Sequence, residues 1–240
     1  MMNLDLSFKN LTTLDGIDLT GVTELDCSNN QLTSLPPLPE TLKKLYCDFN
    51  QLTSLPPLPK LKKLWCGDNQ LTSLPPLPET LKELYCSYNQ LTSLPPLPET
   101  LKTLYCSDNQ LTSLPHLTTL KKLYCSKNQL TSLPHLTTLK ELYCWNNQLT
   151  SLPPLPETLK ELYCIDNQLT SLPPLPETLK YLYCNDNKLP SLPPLPWGLK
   201  NMRREKLDQH NKRLRDLQME TVETLPDKGI WDQINEMWIH

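Results

Sequence analysis

Nine cysteines recur along the chain at intervals of 19 or 20 residues: Cys27, Cys47, Cys66, Cys86, Cys106, Cys125, Cys144, Cys164 and Cys184. Thiols placed so regularly can bind a metal, pair as disulfides or act as nucleophiles. The spacing argues against all three. No C-x-x-C pair exists, so no unit offers the two-thiol clamp of a metal or redox motif. The number is odd, and stacked identical neighbours hold their side chains beside one another instead of facing. The cysteines therefore read as an inward column of reduced, small hydrophobic groups, suited to a reducing compartment. Buried thiols are poor nucleophiles. His116 and His135 occupy matching sites in adjacent units, where other units carry proline. Two imidazoles without carboxylate support make a weak metal site, and no metal is expected. Glycine-rich phosphate loops, H-E-x-x-H and G-x-S-x-G do not occur, so neither catalytic residues nor a cofactor are expected.

Around each cysteine one pattern repeats. A representative unit runs Leu42, Leu45, Cys47, Asn50, Leu52, Leu55, Pro56, Leu58, and later units open at Leu61, Leu81, Leu101, Leu120, Leu139, Leu159 and Leu179. An earlier copy runs through Val22, Leu25, Cys27 and Asn30, and an irregular one through Leu4, Leu6, Leu11 and Leu14. One such unit cannot bury its own apolar face, so the units must stack into a solenoid of about ten rungs. Alternation predicts one short strand per rung, with Leu45 and Cys47 inward and Tyr46 outward. Parallel stacking at about 4.8 Å gives a body roughly 45 Å long. The return across the far side cannot be a regular helix, because prolines interrupt it; an extended, polyproline-like path is expected. Asn30, Asn50, Asn69, Asn89, Asn109, Asn128, Asn147, Asn167 and Asn187 follow each Cys by three. Their amides are expected to satisfy backbone groups where each strand leaves the sheet.

This spacing resembles the leucine-rich repeat, L-x-x-L-x-L-x-x-N-x-L, with Cys in place of the third Leu. The -LPxLP- ending, as in Leu55-Pro56-Pro57-Leu58-Pro59, and the 20-residue length resemble the bacterial LPX subclass of YopM-like and IpaH-like effectors. The resemblance covers residues 4–200. It implies a horseshoe with a short-stranded parallel β-sheet on the concave face and an irregular, extended convex side. It also implies a protein-binding role and, for an effector, a place in the host cytosol. Ligase members of that class carry a large C-terminal catalytic domain with a nucleophilic Cys. Residues 201–240 contain no Cys, so ligase activity is not expected to transfer.

Composition narrows the rest. The chain has 240 residues, 25 prolines, five glycines and a net charge of −3. Almost all prolines belong to the repeats and so do not signal disorder. Residues 22–200 balance their acidic and basic groups, which weighs against a nucleic-acid partner. No stretch is long and apolar enough to span a membrane. The opening MMNLDLSFKN lacks the apolar core of a secretory signal, so a cytoplasmic protein is expected.

Function should then lie in the outward columns. The central one is aromatic: Tyr46, Trp65, Tyr85, Tyr105, Tyr124, Tyr143, Tyr163 and Tyr183. Such rings can stack across the sheet, and they also form an adhesive, low-entropy contact surface. Variation lies just past each Cys, in the pairs Asp48–Phe49, Gly67–Asp68, Ser87–Tyr88, Ser107–Asp108, Ser126–Lys127, Trp145–Asn146, Ile165–Asp166 and Asn185–Asp186. There Phe49, Tyr88, Trp145 and Ile165 are large apolar groups at solvent-facing positions, which marks them as interface candidates. A lysine column, from Lys43 to Lys200, with Glu40, Glu79, Glu99, Glu157 and Glu177 nearby, reads as a solvated mixed-charge edge.

From Asn201 the composition changes. Residues 200–220 have helical spacing, Pro226–Gly229 breaks it, and Ile230, Trp231, Ile234, Met237 and Trp238 fit a second short helix. The domains are therefore a leucine-rich repeat solenoid over 1–200 and a helical C-terminal cap over 201–240, covering the last rung. The N-terminal edge shows no such cap, which leaves room for a homodimer through it. The sequence points to a non-catalytic protein-protein interaction scaffold that binds its partner on the concave face. Its rivals are a substrate-recognition module of a ubiquitin-ligase-type effector and a self-associating structural solenoid.

Overall fold

A computed structural model describes residues 2–116 and 118–202 of the chain. Among them, eleven strands form one parallel sheet: β1 (Met2–Asp5), β2 (Val22–Asp26), β3 (Lys44–Tyr46), β4 (Lys63–Trp65), β5 (Glu83–Tyr85), β6 (Thr103–Tyr105), β7 (Lys122–Tyr124), β8 (Glu141–Tyr143), β9 (Glu161–Tyr163), β10 (Tyr181–Tyr183) and β11 (Asn201–Met202). Neighbours in sequence are neighbours in the sheet throughout. Each rung therefore returns to lie beside the one before it, and the result is a parallel β-solenoid. The sheet extends two residues past the expected boundary at 200, since β11 pairs with β10. The helices expected beyond it fall outside the described residues.

The strands are short because only three residues per rung can alternate cleanly. Lys44 and Tyr46 face out while Leu45 between them is buried. Leu42, Leu45, Cys47, Leu52 and Leu55 of that rung, and their equivalents, form one continuous core along the solenoid. The parallel ladder runs beyond the strands. Cys47 N–H donates to the Trp65 carbonyl at 2.8 Å, and Asn50 N–H to the Asp68 carbonyl at 3.1 Å.

The return path has no helix among the described residues, in keeping with its prolines. It rejoins the sheet through a tight turn in which Leu42 N–H donates to the Pro39 carbonyl at 3.0 Å. The 19-residue spacing from Cys47 to Cys66 is absorbed here: Leu61 N–H reaches Pro59, one residue nearer, at 2.6 Å. Where a threonine precedes the turn's leucine, its hydroxyl caps the preceding rung, as in Thr80 to the Leu61 carbonyl and Thr100 to the Leu81 carbonyl, both 2.7 Å.

The asparagines lock rung to rung, in the role expected of them. The Asn50 amide nitrogen donates to the carbonyls of Cys27, Cys47 and Asp48 at 3.0, 3.2 and 3.1 Å, and its oxygen accepts Leu32 N–H at 2.9 Å. Cys27 and Leu32 belong to the previous rung, so one side chain satisfies backbone groups on both. Asn128 repeats this from a buried position, with bonds to Cys106, Cys125 and Ser126 and from Leu111. Asn128→Ala leaves Leu111 N–H without its acceptor. It is expected to lower unfolding free energy by about 2 kcal/mol, measured by urea denaturation, and an unchanged midpoint would contradict this account.

Candidate functional site

Alternation turns two side chains of each rung onto the open face, those matching Lys44 and Tyr46. Two more follow as the chain leaves the sheet, those matching Asp48 and Phe49. These four columns form the face.

In the aromatic column, the rings from Tyr105 to Tyr183 are stacked, with centroids 4.3, 4.5, 4.2 and 4.5 Å apart. These separations are shorter than the ~4.8 Å between strands. From Tyr105 to Tyr183 the rungs converge on this side, as they would on the concave face of a horseshoe. Tyr124 and Tyr143 donate their hydroxyls to Glu141 and Glu161 of the following rungs at 2.5 and 2.6 Å. Burial raises both phenols above their ordinary range, and the carboxylates, which favour a protonated donor, raise them further.

Toward the N-terminus the stack opens. Trp65 meets Tyr46 edge-on at 86° and lies 40° from the plane of Tyr85. Gly67 is the reason. A Cβ at Gly67 would stand 2.0 Å from Cε1 of Tyr85, because that ring fills the space a side chain would take. Tyr85 therefore leans back over the preceding rung. Burial, then the nearby Asp68 and Asp48, push its phenol up to about 12. Trp65 is left exposed.

The strand-start column pairs opposite charges between adjacent rungs: Lys44 with Glu24 at 2.9 Å, Lys63 with Glu83 at 2.8 Å and Lys122 with Glu141 at 2.8 Å. The column after Cys is buried or half-buried, and several of its members bond forward. Ser87 Oγ accepts Ser107 N–H and Ser107 Oγ accepts Ser126 N–H, both at 3.1 Å. Asp48 does the same for Gly67 N–H at 3.1 Å. Only 7% of Asp48 is exposed, and burial pushes its carboxyl up to about 6.

The fourth column is left-handed at every rung, from Phe8 (φ 56°) and Asn29 (54°) through Phe49 (53°), Asp68 (49°) and Tyr88 (55°) to Asp186 (55°). Asn and Asp tolerate this backbone; bulky side chains rarely adopt it. Phe8, Phe49 and Tyr88 nevertheless do, and they are 74%, 55% and 49% exposed.

The expected site residues therefore divide. Phe49 and Tyr88 are exposed, whereas Trp145 and Ile165 are half-buried. The last two sit in the column after Cys, where the side chain turns inward along the ladder. Lys127 stands over the Trp145 ring at 5.2 Å and pairs with Asp108 at 3.1 Å. Phe8 was missed because its rung lacks the Cys that marks the others. Its signal was the left-handed corner, shared with Asn29.

The nine cysteines are free and buried. Cys27 and Cys47 direct their thiols at the next rung's carbonyls, Tyr46 at 3.4 Å and Trp65 at 3.3 Å. Burial pushes Cys27 and Cys86 up to about 12. His116 and His135 are exposed, and among the described residues no group of three or more His, Cys, Asp or Glu is placed to hold a metal.

The model of Leucine Rich repeats (2 copies) matches residues 40–79, 79–118, 99–138, 118–157 and 137–177, and that of a single Leucine Rich Repeat matches 21–40. The chain belongs to the leucine-rich repeat family. No curated protein sequence matches it significantly. Among solved structures, this leucine-rich repeat chain is similar to YopM from Yersinia enterocolitica WA-314, with 35% identity, a TM-score of 0.72 and 85% of this chain covered. It spans 50% of that protein's length. The leucine-rich repeat domain of a Shigella effector shares 39% identity over 62% of this chain and 70% of its own, with a TM-score of 0.57. FLRT2, solved through its repeats in an octameric complex with Latrophilin 3 and Unc5D, shares 26% identity over 81% of this chain and 78% of its own, with a TM-score of 0.57. All three support a leucine-rich repeat solenoid, and the first two make it effector-like.

Two measurements check this geometry. The folded pKa of Asp48 lies above its ordinary value of 3.8. Its contribution to stability is thus present in full below pH 4 and lost as pH rises through about 6. Asp48→Ser is expected to stabilise the protein at pH 7 by about 3 kcal/mol and to flatten urea stability between pH 4 and 6; a variant with the parent's pH slope refutes the assignment. A thiol reagent at pH 8 is expected to modify the cysteines together, and only as the chain unfolds. Rapid labelling of the native protein would place the thiols outside the core.

Proposed function

We propose that a protein partner lies across the concave face of this interaction scaffold. It would contact the aromatic column of Tyr46, Trp65, Tyr85, Tyr105, Tyr124, Tyr143, Tyr163 and Tyr183, together with Phe49, Tyr88, Trp145 and Ile165 beside it. One observation carries the reading. Of the six large hydrophobic residues most exposed among those described, Met2, Phe8, Phe49, Trp65 and Tyr88 lie on the first five rungs. Apolar side chains gathered in this way mark docking surfaces. The stacked tyrosines from Tyr105 onward supply a rigid continuation that loses little entropy on contact.

The role is non-catalytic. Thiols held protonated by burial are not nucleophiles at neutral pH. Free, closely stacked cysteines also suit a reducing cytoplasm. Among the described residues no helix is long and apolar enough to cross a membrane.

Trp65→Glu places a charge in the middle of the open part of the face. With the intact chain as bait, this variant is expected to lose the partner captured by the parent, while Ser73→Glu, at an exposed position outside the four columns, retains it. Equal capture by both variants would remove the concave face as the docking surface.

A further inference from the structure

Phe8, Phe49 and Tyr88 occupy the same left-handed corner on the first, third and fifth rungs. Short polar residues, Asn29 and Asp68, hold that corner on the rungs between. The result is an exposed ridge of three rings separated by two gaps. Rungs repeat at about 4.8 Å, so the rings recur at about 9.6 Å. A polyproline II helix advances 3.1 Å per residue with three residues per turn, about 9.3 Å. An extended β-strand repeats its side chains at about 6.7 Å and falls out of step with the ridge after one gap. Prolines at i and i+3 would instead settle into successive gaps, each between two aromatic rings.

The charge around the gaps is mainly acidic. Asp26, at the end of its strand, lies three residues before the first gap, and Asp68 lies at the second. Neither forms an ion pair among the described residues, whereas Asp108 on the next rung is matched by Lys127. Of the lysines on the strands of these rungs, Lys44 and Lys63 are already bound to Glu24 and Glu83, while Lys9 follows Phe8 at the N-terminal end of the ridge.

We infer that the Phe8–Phe49–Tyr88 ridge binds a basic polyproline II peptide of the P-x-x-P type, running along the solenoid axis across the first five rungs. The inference rests on the reading that this face takes a protein partner, and it narrows that partner's chemistry. Aromatic ridges with acidic neighbours suit such peptides because the polyproline helix is already ordered and its prolines fit between rings. The backbone is further support. Phenylalanine and tyrosine in a left-handed conformation cost free energy that burial does not offset here, since these rings are in solvent.

The test uses the full chain and a fluorescein-labelled peptide of about twelve residues, or four polyproline turns, with proline at every third position and arginine at both ends. Saturable binding is expected, weakened by added salt. A peptide of the same composition with its prolines moved to every fourth position is expected to bind about tenfold more weakly. Phe49→Asn and Tyr88→Asp install residues that other rungs carry at this corner, so circular dichroism should stay unchanged while peptide affinity falls about tenfold for each. Absence of saturable binding, indifference to proline spacing, or undiminished affinity in both variants would overturn the inference. If the peptide fails while partner capture still depends on Trp65, the ridge assignment falls and the concave-face reading survives. If the peptide binds while capture ignores Trp65, the ridge stands and the wider face does not.

Discussion

Each rung can bury its leucines only against the rung beside it. A three-residue strand and an extended return hold no enclosed interior of their own, so the repeat acquires a core by translation alone. The asparagine amide makes that translation accurate. Asn50 ties its own Cys47 carbonyl to the Cys27 carbonyl and the Leu32 N–H of the previous rung. Backbone polar groups at the bend would otherwise be buried without partners, which costs more than any single apolar contact gains. The thiol column, the threonine caps and the aromatic face all inherit the register set by this bond.

Translation also restricts which residues can occupy a column, because each one meets its own copy about 4.8 Å away. Leucine and cysteine tolerate this as apolar neighbours. Tyrosine tolerates it by stacking, and gains a hydrogen bond when the next rung supplies a glutamate, as Tyr124 does from Glu141. Charged residues at the strand start gain where the sign changes between rungs, as Glu24 with Lys44 and Lys63 with Glu83, whereas Lys44 beside Lys63 and Glu141 beside Glu161 keep one sign. Aspartate in the buried column after Cys has no counter-charge, and for that reason Asp48 is the strained member of a set otherwise filled largely by serine and asparagine.

What the sequence made legible was whatever the period encodes. The inward thiols, outward tyrosines, parallel order and bridging asparagines follow from spacing, and the structure places them accordingly. Features that depend on packing between particular rungs were not legible. The backward lean of Tyr85 needs the missing side chain of Gly67. Trp145 and Ile165 were expected in solvent because they follow Cys directly, yet that position turns inward and only the next one faces out. Phe8 is not marked by spacing because its irregular rung lacks the Cys that flags the corner on the others. The left-handed corner has no consensus letter, only a preference for Asn and Asp that three aromatics and Lys127 override.

Those overrides carry the functional information in a repeat this regular. A column that obeys the consensus reports on stability, since every rung needs it. A residue that breaks the consensus at a conformational cost, and stays in solvent, gains nothing from the fold. Phe49 and Tyr88 occupy backbone positions that Asn29, Asp68 and Asp108 fill without difficulty, and burial does not compensate them. Gly67 works in the same sense: it loosens the aromatic stack at the one place where Trp65 becomes exposed. The exposed aromatic departures, Phe8, Phe49, Trp65 and Tyr88, fall on the first five rungs, while the tyrosines from Tyr105 to Tyr183 form a closed stack. The described rungs are thus divided by side-chain order and not by backbone, into a half with a closed, stacked aromatic column and a half whose rings stand exposed.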